Sequence, residues 1–303
     1  MRIIRADHLG MCFGVRDAIA TAEESVQQTP VTVLGQLVHN KTVLNRLTRQ
    51  GIAFAEQAAE VATKHAIITA HGSSEAARRR ASDAGLQLID TTCPLVSHAH
   101  RAVHRLVSQG FHPVVIGKRG HVEVTGLTED LAECDIVLCE EDIERLKPKT
   151  RFGVCAQTTQ PIDRVKRLVA YMKTRFPRAV VQFLDTVCQP TKQRQTAAIR
   201  LAREADVVIV VGGSNSNNTR ELGETCRTHC RRVHQVEFAD DLRPEWFQAD
   251  DLVGLTAGTS TPDETINRVE VAISKLDLAN HFATQSETDA QKPEVTESIL
   301  TNH

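Results

Sequence analysis

The chain is poor in the features that tie a protein to nucleic acid, to a membrane or to an oxidising compartment. It has one Trp and one Tyr in 303 residues, too few for a platform on which bases could stack. The formal charge is −2 at pH 7, so no basic field marks a nucleic-acid or anionic-membrane partner. Long apolar runs are missing: residues 207–211 make a strand-sized stretch, and residues 1–7 contain no run of signal-peptide length. Eight cysteines in such a chain read as thiols or metal ligands, not as a disulfide framework. The expectation is a soluble cytoplasmic protein that uses neither nucleic acid nor membrane. With 41% apolar residues it has enough material for a substantial core and, by length, about two domains.

Three cysteines stand out among the residues that are present. Cys93 ends the run D-T-T-C, Cys188 ends D-T-V-C, and Cys12 lies in a looser version that runs through Gly10, Met11, Phe13 and Gly14. Each opens a helix-like segment, and each is followed by an apolar strand with a polar end and then a second such strand. The middle of the first strand lies about 21 residues after the cysteine in all three cases, and the second about 55 to 66 residues after it. That agreement indicates a triplicated unit. Alternating strands and helices imply parallel sheets covered on both faces, with ligand groups at the carboxyl ends of the strands. The expected fold is α/β, with three pseudo-repeated lobes (1–92, 93–187 and 188–280) built on small, mostly parallel sheets. A polar tail, 281–303, carries no apolar period and is expected to be mobile.

The polar strand ends carry the candidate chemistry. They hold V-H-N at His39, A-H-G at His71, G-H-V-E at His121 and Glu123, Q-T-T at Thr158 and Thr159, G-G-S-N-S-N-N from Gly212 to Asn218, and T-A-G-T-S at Ser260. Histidine can donate to phosphate while staying adjustable near neutral pH. The glycine, serine and asparagine run before a helix suits an anion, although it lacks the G-K-[ST] of a Walker loop. Any one of these could be a turn or a cap; six of them converging is a weaker coincidence. His121 and Glu123 would point the same way if that segment is extended, and a partly enclosed Glu123 carboxyl could deliver a proton.

Three thiols without short-spaced partners do not make a zinc knuckle. At helix starts they suit a soft metal: zinc, copper(I) or an iron–sulfur cluster. Three protein ligands also leave a coordination position open for chemistry. Of the other cysteines, Cys134, Cys139 and Cys155 read as core. Cys226 and Cys230, with His229, could form half a zinc site but read as packing.

Taken together, M-C-F-G-V, V-H-N, A-H-G, D-T-T-C-P, G-H-V-E-V, Q-T-T, D-T-V-C, G-G-S-N-S-N-N-T and T-A-G-T-S-T-P resemble the 4-hydroxy-3-methylbut-2-enyl diphosphate reductase (IspH/LytB) family over residues 3–275. The resemblance implies a three-lobed fold around one [4Fe–4S] cluster per chain. Cys12, Cys93 and Cys188 would hold it, leaving one iron unligated by protein and facing the substrate's allylic hydroxyl. It implies that His39, His71, His121, Ser216, Asn217, Asn218 and Ser260 hold the substrate diphosphate, that Glu123 supplies protons and that Thr158 stands beside it. Products would be isopentenyl and dimethylallyl diphosphate, in the non-mevalonate isoprenoid route, with electrons from a donor such as ferredoxin or flavodoxin. The chain departs from the family's H-P-E-V-E-G-T at Val122 and Thr125, and from its leucine-serine after Q-T-T at Gln160 and Pro161. A diverged iron–sulfur redox sensor without turnover is the alternative, and a structural zinc protein a third reading.

Overall fold

The structure is a computed structural model that describes the backbone of residues 1–290 and the side chains of residues 1–276. The chain starts with β1 (Arg2–Arg5), α1 (Phe13–Gln28), β2 (Val31–Leu34) and α2 (Lys41–Arg49). It continues through β3 (Ala53–Ala55), β4 (His65–Ile68), α3 (Glu75–Asp83), β5 (Gln87–Asp90) and α4 (Pro94–Ser108). Then come β6 (His112–Ile116), α5 (Val122–Thr128), β7 (Asp135–Val137), α6 (Glu140–Glu144), β8 (Arg151–Ala156), α7 (Ile162–Arg175) and β9 (Val180–Phe183). The last part holds α8 (Gln189–Glu204), β10 (Val207–Val211), α9 (Asn217–Arg227), β11 (Arg232–Val236), β12 (Leu252–Ala257) and α10 (Asp263–Ala290).

These strands form three four-stranded sheets, and every pairing described is parallel. Their orders are β3-β2-β4-β5, β7-β6-β8-β9 and β11-β10-β12-β1. In each, the chain leaves the first central strand for an edge and then crosses back to the second. The two central strands therefore flank a switch point, where a crevice opens at their carboxyl ends. All six polar motifs follow a central strand, so the topology aims them at three such crevices. Buried strands read as continuous apolar runs when both faces are covered, as β10 does with all five of its residues fully buried.

The repeat is closed circularly. β1, within the stretch 1–92 expected as the first lobe, is the fourth strand of the third sheet, in register from Arg2 opposite Leu252 to Arg5 opposite Leu255. Each cysteine-capped helix thus leaves the fourth strand of one sheet and packs on the next. α1 lays Ala18, Ile19 and Ala22 on Val31 and Val33; α4 lays Val103 and Leu106 on Val115; α8 lays Ala198 and Leu201 on Val208 and Val210. α10 runs on through Ala290, ten residues into the segment expected as tail; no Gly or Pro interrupts the sequence before Pro293. The rest of that expected tail lies outside the described residues.

Candidate active site

The three cysteines occupy one structural phase. Cys12, Cys93 and Cys188 are the N-cap residues of α1, α4 and α8. Each donates its backbone N–H to a carbonyl in the loop after a second central strand: Cys12 to Thr259 at 3.0 Å, Cys93 to Ala70 at 3.1 Å and Cys188 to Thr158 at 3.0 Å. The same bond, made three times, brings all three thiols to the common end of the sheets. Cys12 acts electrostatically on both Cys93 and Cys188, as does Glu123. Gly14 makes room for the second thiol, because a Cβ there would stand 2.4 Å from Cys93 Sγ.

Burial pushes the Cys93 thiol up, against the N–H groups of Leu95 and Val96 that favour the thiolate. Burial likewise pushes Cys188 up to about 11, against a 3.0 Å contact with the Thr191 hydroxyl. Helix starts alone do not deprotonate these groups; a bound cation would. Among the described residues no group of three or more His, Cys, Asp or Glu could share a single metal ion. One tetrahedral ion with bonds of roughly 2.3 Å would draw its sulfurs to within about 4 Å of each other. Three thiols in one phase would suit a soft-metal centre of several ions that takes one thiolate apiece.

Above the thiols, each of the first two lobes contributes histidine. His39 precedes Asn40, whose side chain caps α2 by accepting from Val43 at 3.1 Å; His71 precedes Gly72, which turns with φ +73°. The ring centroids lie 4.5 Å apart for His39–His71, 5.5 Å for His39–His121 and 5.8 Å for His71–His121. Burial and mutual repulsion hold His71 well below the usual imidazole range. His121 falls to about 4 through burial, then His39, Lys118 and Arg220; His39 is lowered by burial and Lys118. Neutral rings therefore line the unliganded pocket near pH 7. His121 Nδ1 accepts the Glu123 N–H at 3.1 Å, which leaves Nε2 of the neutral ring to carry the proton.

The segment 121–123 is not extended, so period two does not set the directions of His121 and Glu123. His121 caps α5, and Glu123 lies in its first turn. Helical geometry turns the carboxyl inward, where it is 1% exposed and its Oε1 accepts from Thr158 N at 2.6 Å. Burial raises its pKa to about 7, against the backbone and hydroxyl bonds from Thr158. A carboxyl in that range can hold a proton at neutral pH and release it.

The third lobe adds Ser216, Asn217 and Asn218 at the start of α9, and Ser260 after β12. Ser216 caps α9 by accepting from Thr219 at 3.3 Å, and Ser260 donates to the His39 carbonyl at 3.2 Å. Gly213 lets the loop close on the first lobe, since a Cβ would meet that same carbonyl at 3.0 Å. His39, His71, His121, Glu123, Ser216, Asn217, Asn218 and Ser260 then line one cavity of about 40 Å³, with Val15, Val38, Thr159 and Thr259. His39 Nε2, His71 Nδ1, Asn217 Nδ2 and Asn218 Nδ2 are buried without a hydrogen-bond partner. Orphaned polar atoms are costly, and several in one pocket match a missing acceptor-rich anion.

Thr158 does not line the cavity; it supports Glu123 from behind. Lys118, Arg220 and Arg194 went unnoticed in the sequence, where nothing separates them from solvated charge. Cys139, read as core, is exposed, because it caps α6 in the turn after β7. Cys155 is buried and Cys134 packs beside it, whereas Cys226 and Cys230 lie in the apolar core of the third lobe. His229 is exposed, and Cys230 Sγ donates to backbone carbonyls, so these form no zinc half-site.

Residues 3–274 match the family model described as LytB protein. Among curated relatives, a 4-hydroxy-3-methylbut-2-enyl diphosphate reductase of Aquifex aeolicus is 37% identical over 285 residues, 90% of this chain and 96% of that one. One from Geobacter metallireducens is 35% identical over 281 residues, covering 92% and 99%. One from Neisseria meningitidis is 36% identical over 278 residues, covering 89% and 86%. The solved Plasmodium falciparum E-1-hydroxy-2-methyl-but-2-enyl-4-diphosphate reductase superposes with TM-score 0.82 at 29% identity, covering 88% of this chain and 86% of that one. A second solved structure is titled as the terminal enzyme of the non-mevalonate pathway; it has TM-score 0.64, 36% identity and coverage of 91% and 100%.

Proposed function

The chain belongs to the LytB family, and from that premise we infer that it is a 4-hydroxy-3-methylbut-2-enyl diphosphate reductase of the non-mevalonate route. The observation that carries the reading is the cavity itself: four orphaned polar atoms and a buried proton-bearing carboxyl, beside three thiols in one phase. The reaction removes the allylic hydroxyl as water and puts hydrogen in its place, which consumes two electrons and two protons. A family-typical [4Fe–4S] cluster fits Cys12, Cys93 and Cys188. When bound it supplies one-electron transfer, and Lewis acidity at the corner that no thiolate occupies.

The chain's own groups do the rest. His71, Asn217 and Asn218 have free donors for the diphosphate, supported by Ser216, Ser260 and the N-terminal end of α9. His39 Nε2 becomes a donor when the ring takes up a proton, since its Nδ1 already faces the Gln36 side-chain carbonyl oxygen. His121 contributes Nε2–H to the same anion. Binding it brings negative charge to neutral imidazoles, which raises their affinity for protons and strengthens each hydrogen bond. Glu123, protonated below about pH 7, donates to the departing hydroxyl. Thr158 holds that carboxyl in place through its N–H and hydroxyl. Val122, where the family has proline, is helical and half exposed at the first position of α5, and the backbone that presents Glu123 forms without the proline.

Electrons would come from a small one-electron carrier such as ferredoxin or flavodoxin. The cytoplasm is the compartment that suits eight free thiols. No helix of the described residues is long and apolar enough to cross a membrane. An iron–sulfur sensor without turnover draws no support, since a sensor has no need of Glu123 or of the orphaned donors. The test is turnover: chemically reduced, anaerobically purified protein is supplied with the allylic diphosphate. Isopentenyl and dimethylallyl diphosphate are the expected products; iron-loaded protein that forms neither would refute the reading.

A further inference from the structure

Arg194 is a buried guanidinium without a carboxylate. It lies six residues after Cys188 on α8 and is 8% exposed. Its Nε donates to the Gly10 carbonyl at 2.9 Å and its Nη1 to the Pro190 carbonyl at 3.0 Å. Among the described residues no ion pair includes it, although Arg side chains elsewhere in the chain pair with Asp or Glu repeatedly. A buried cation with nothing but carbonyl partners is costly and calls for negative charge nearby. The thiols that act on it are Cys12 and Cys188, which favour its charge, while Arg16 opposes it. Gly10 stands two residues before Cys12, and Pro190 two residues after Cys188. One side chain therefore ties the approach to one thiol to the helix start of another, and places a fixed positive charge between them.

We propose that Arg194 is the counter-cation of the three-thiol centre, raising its reduction potential and holding the Cys12 and Cys188 segments together. The inference rests on the reading that Cys12, Cys93 and Cys188 hold an iron–sulfur cluster. A [4Fe–4S] core with three thiolates is net negative and becomes more so with each electron. A buried cation, little screened by salt, stabilises the reduced form more than the oxidised one. Arginine stays protonated in apolar surroundings whether or not the centre is loaded, whereas a lysine there would hold its charge beside the negative cluster. Arg194 does not line the substrate cavity, so it acts through the centre and is a positioning residue.

The test compares cluster midpoint potentials in anaerobic wild-type, Arg194→Gln and Arg194→Lys proteins, with iron and sulfide content measured alongside. Arg194→Gln should move to a more negative potential by at least a tenfold change in the reduced-to-oxidised ratio, which is 59 mV for one electron. Arg194→Lys, which keeps the charge but not the fork, should recover more than half of that shift. An unchanged potential in Arg194→Gln, or equal shifts in both variants, would overturn the proposal while leaving the cluster reading intact. Wild-type protein without iron and sulfide would overturn both. If Arg194→Gln does not fold, Arg194→His carries the test: its potential should fall, relative to wild type, as pH is raised through the imidazole's titration. A parallel pH dependence in the two proteins would sink the idea.

Discussion

Thr158 donates its backbone N–H to Glu123 Oε1 at 2.6 Å, and its carbonyl accepts the Cys188 N–H at 3.0 Å. One residue thus spaces the candidate acid from the third cysteine. Since Thr158 lies in the loop after β8 and Glu123 in the first turn of α5 after β6, the pair also spans the switch point of the second sheet. The same contact fixes the carboxyl's position and works against the burial that raises its pKa.

Glu123 should make stability pH-dependent in the cluster-free chain. Its folded pKa is raised to about 7 from an ordinary 4.5, so the folded state holds the proton more tightly than the unfolded one. That contribution is fully present below pH 4.5 and is lost as pH rises through 7, about 3 kcal/mol in all. Glu123→Gln removes the loss. Denaturant unfolding at pH 5 and pH 9 should show the variant gaining on wild type at the higher pH; a constant difference would mean that the carboxyl is not strained by burial.

Asn218→Ala should separate binding from folding. Its Nδ2 is buried without a partner, so removal costs the free protein little or stabilises it. A hydrogen bond to a diphosphate is worth roughly 1.5–3 kcal/mol, about tenfold or more in affinity. Titration with inorganic pyrophosphate, alongside thermal unfolding, would show both effects. Equal pyrophosphate affinity in wild type and variant would remove Asn218 from the site.

Gly14→Ala is expected to act on the centre rather than on the helix. Alanine raises helix propensity by up to about 1 kcal/mol, but its Cβ would fall 2.4 Å from Cys93 Sγ and displace that thiol. Iron and sulfide per chain should drop, as they should in Cys93→Ser, while cluster-free stability is kept. Normal iron content in Gly14→Ala would show that Cys93 is not held where the structure has it.

The sequence disclosed the repeat because each cysteine sits at one distance from its strands, and disclosed the cavity because every motif ends a central strand. It did not disclose that β1 completes the third sheet, since four residues with an ordinary pattern carry no sign of their partner. Glu123 was legible as a candidate by type, but not its helical setting: His121 serves as cap and pocket residue at once, and short segments do not betray period. Arg194 was invisible because burial, which makes it unusual, depends on packing between segments 184 residues apart. Cys139 differs from the expected core residue for the same reason, since an apolar neighbourhood in sequence is in the fold an exposed cap.

Whether Glu123 is the proton donor beside the three-thiol centre is decided by the turnover of cluster-loaded Glu123→Gln with reduced donor at pH 6 to 7. General acid catalysis contributes roughly 10²–10⁴-fold. The variant is expected to keep full iron and sulfide and to lose at least about 100-fold in rate. Wild-type turnover with the cluster intact in Glu123→Gln would contradict the claim.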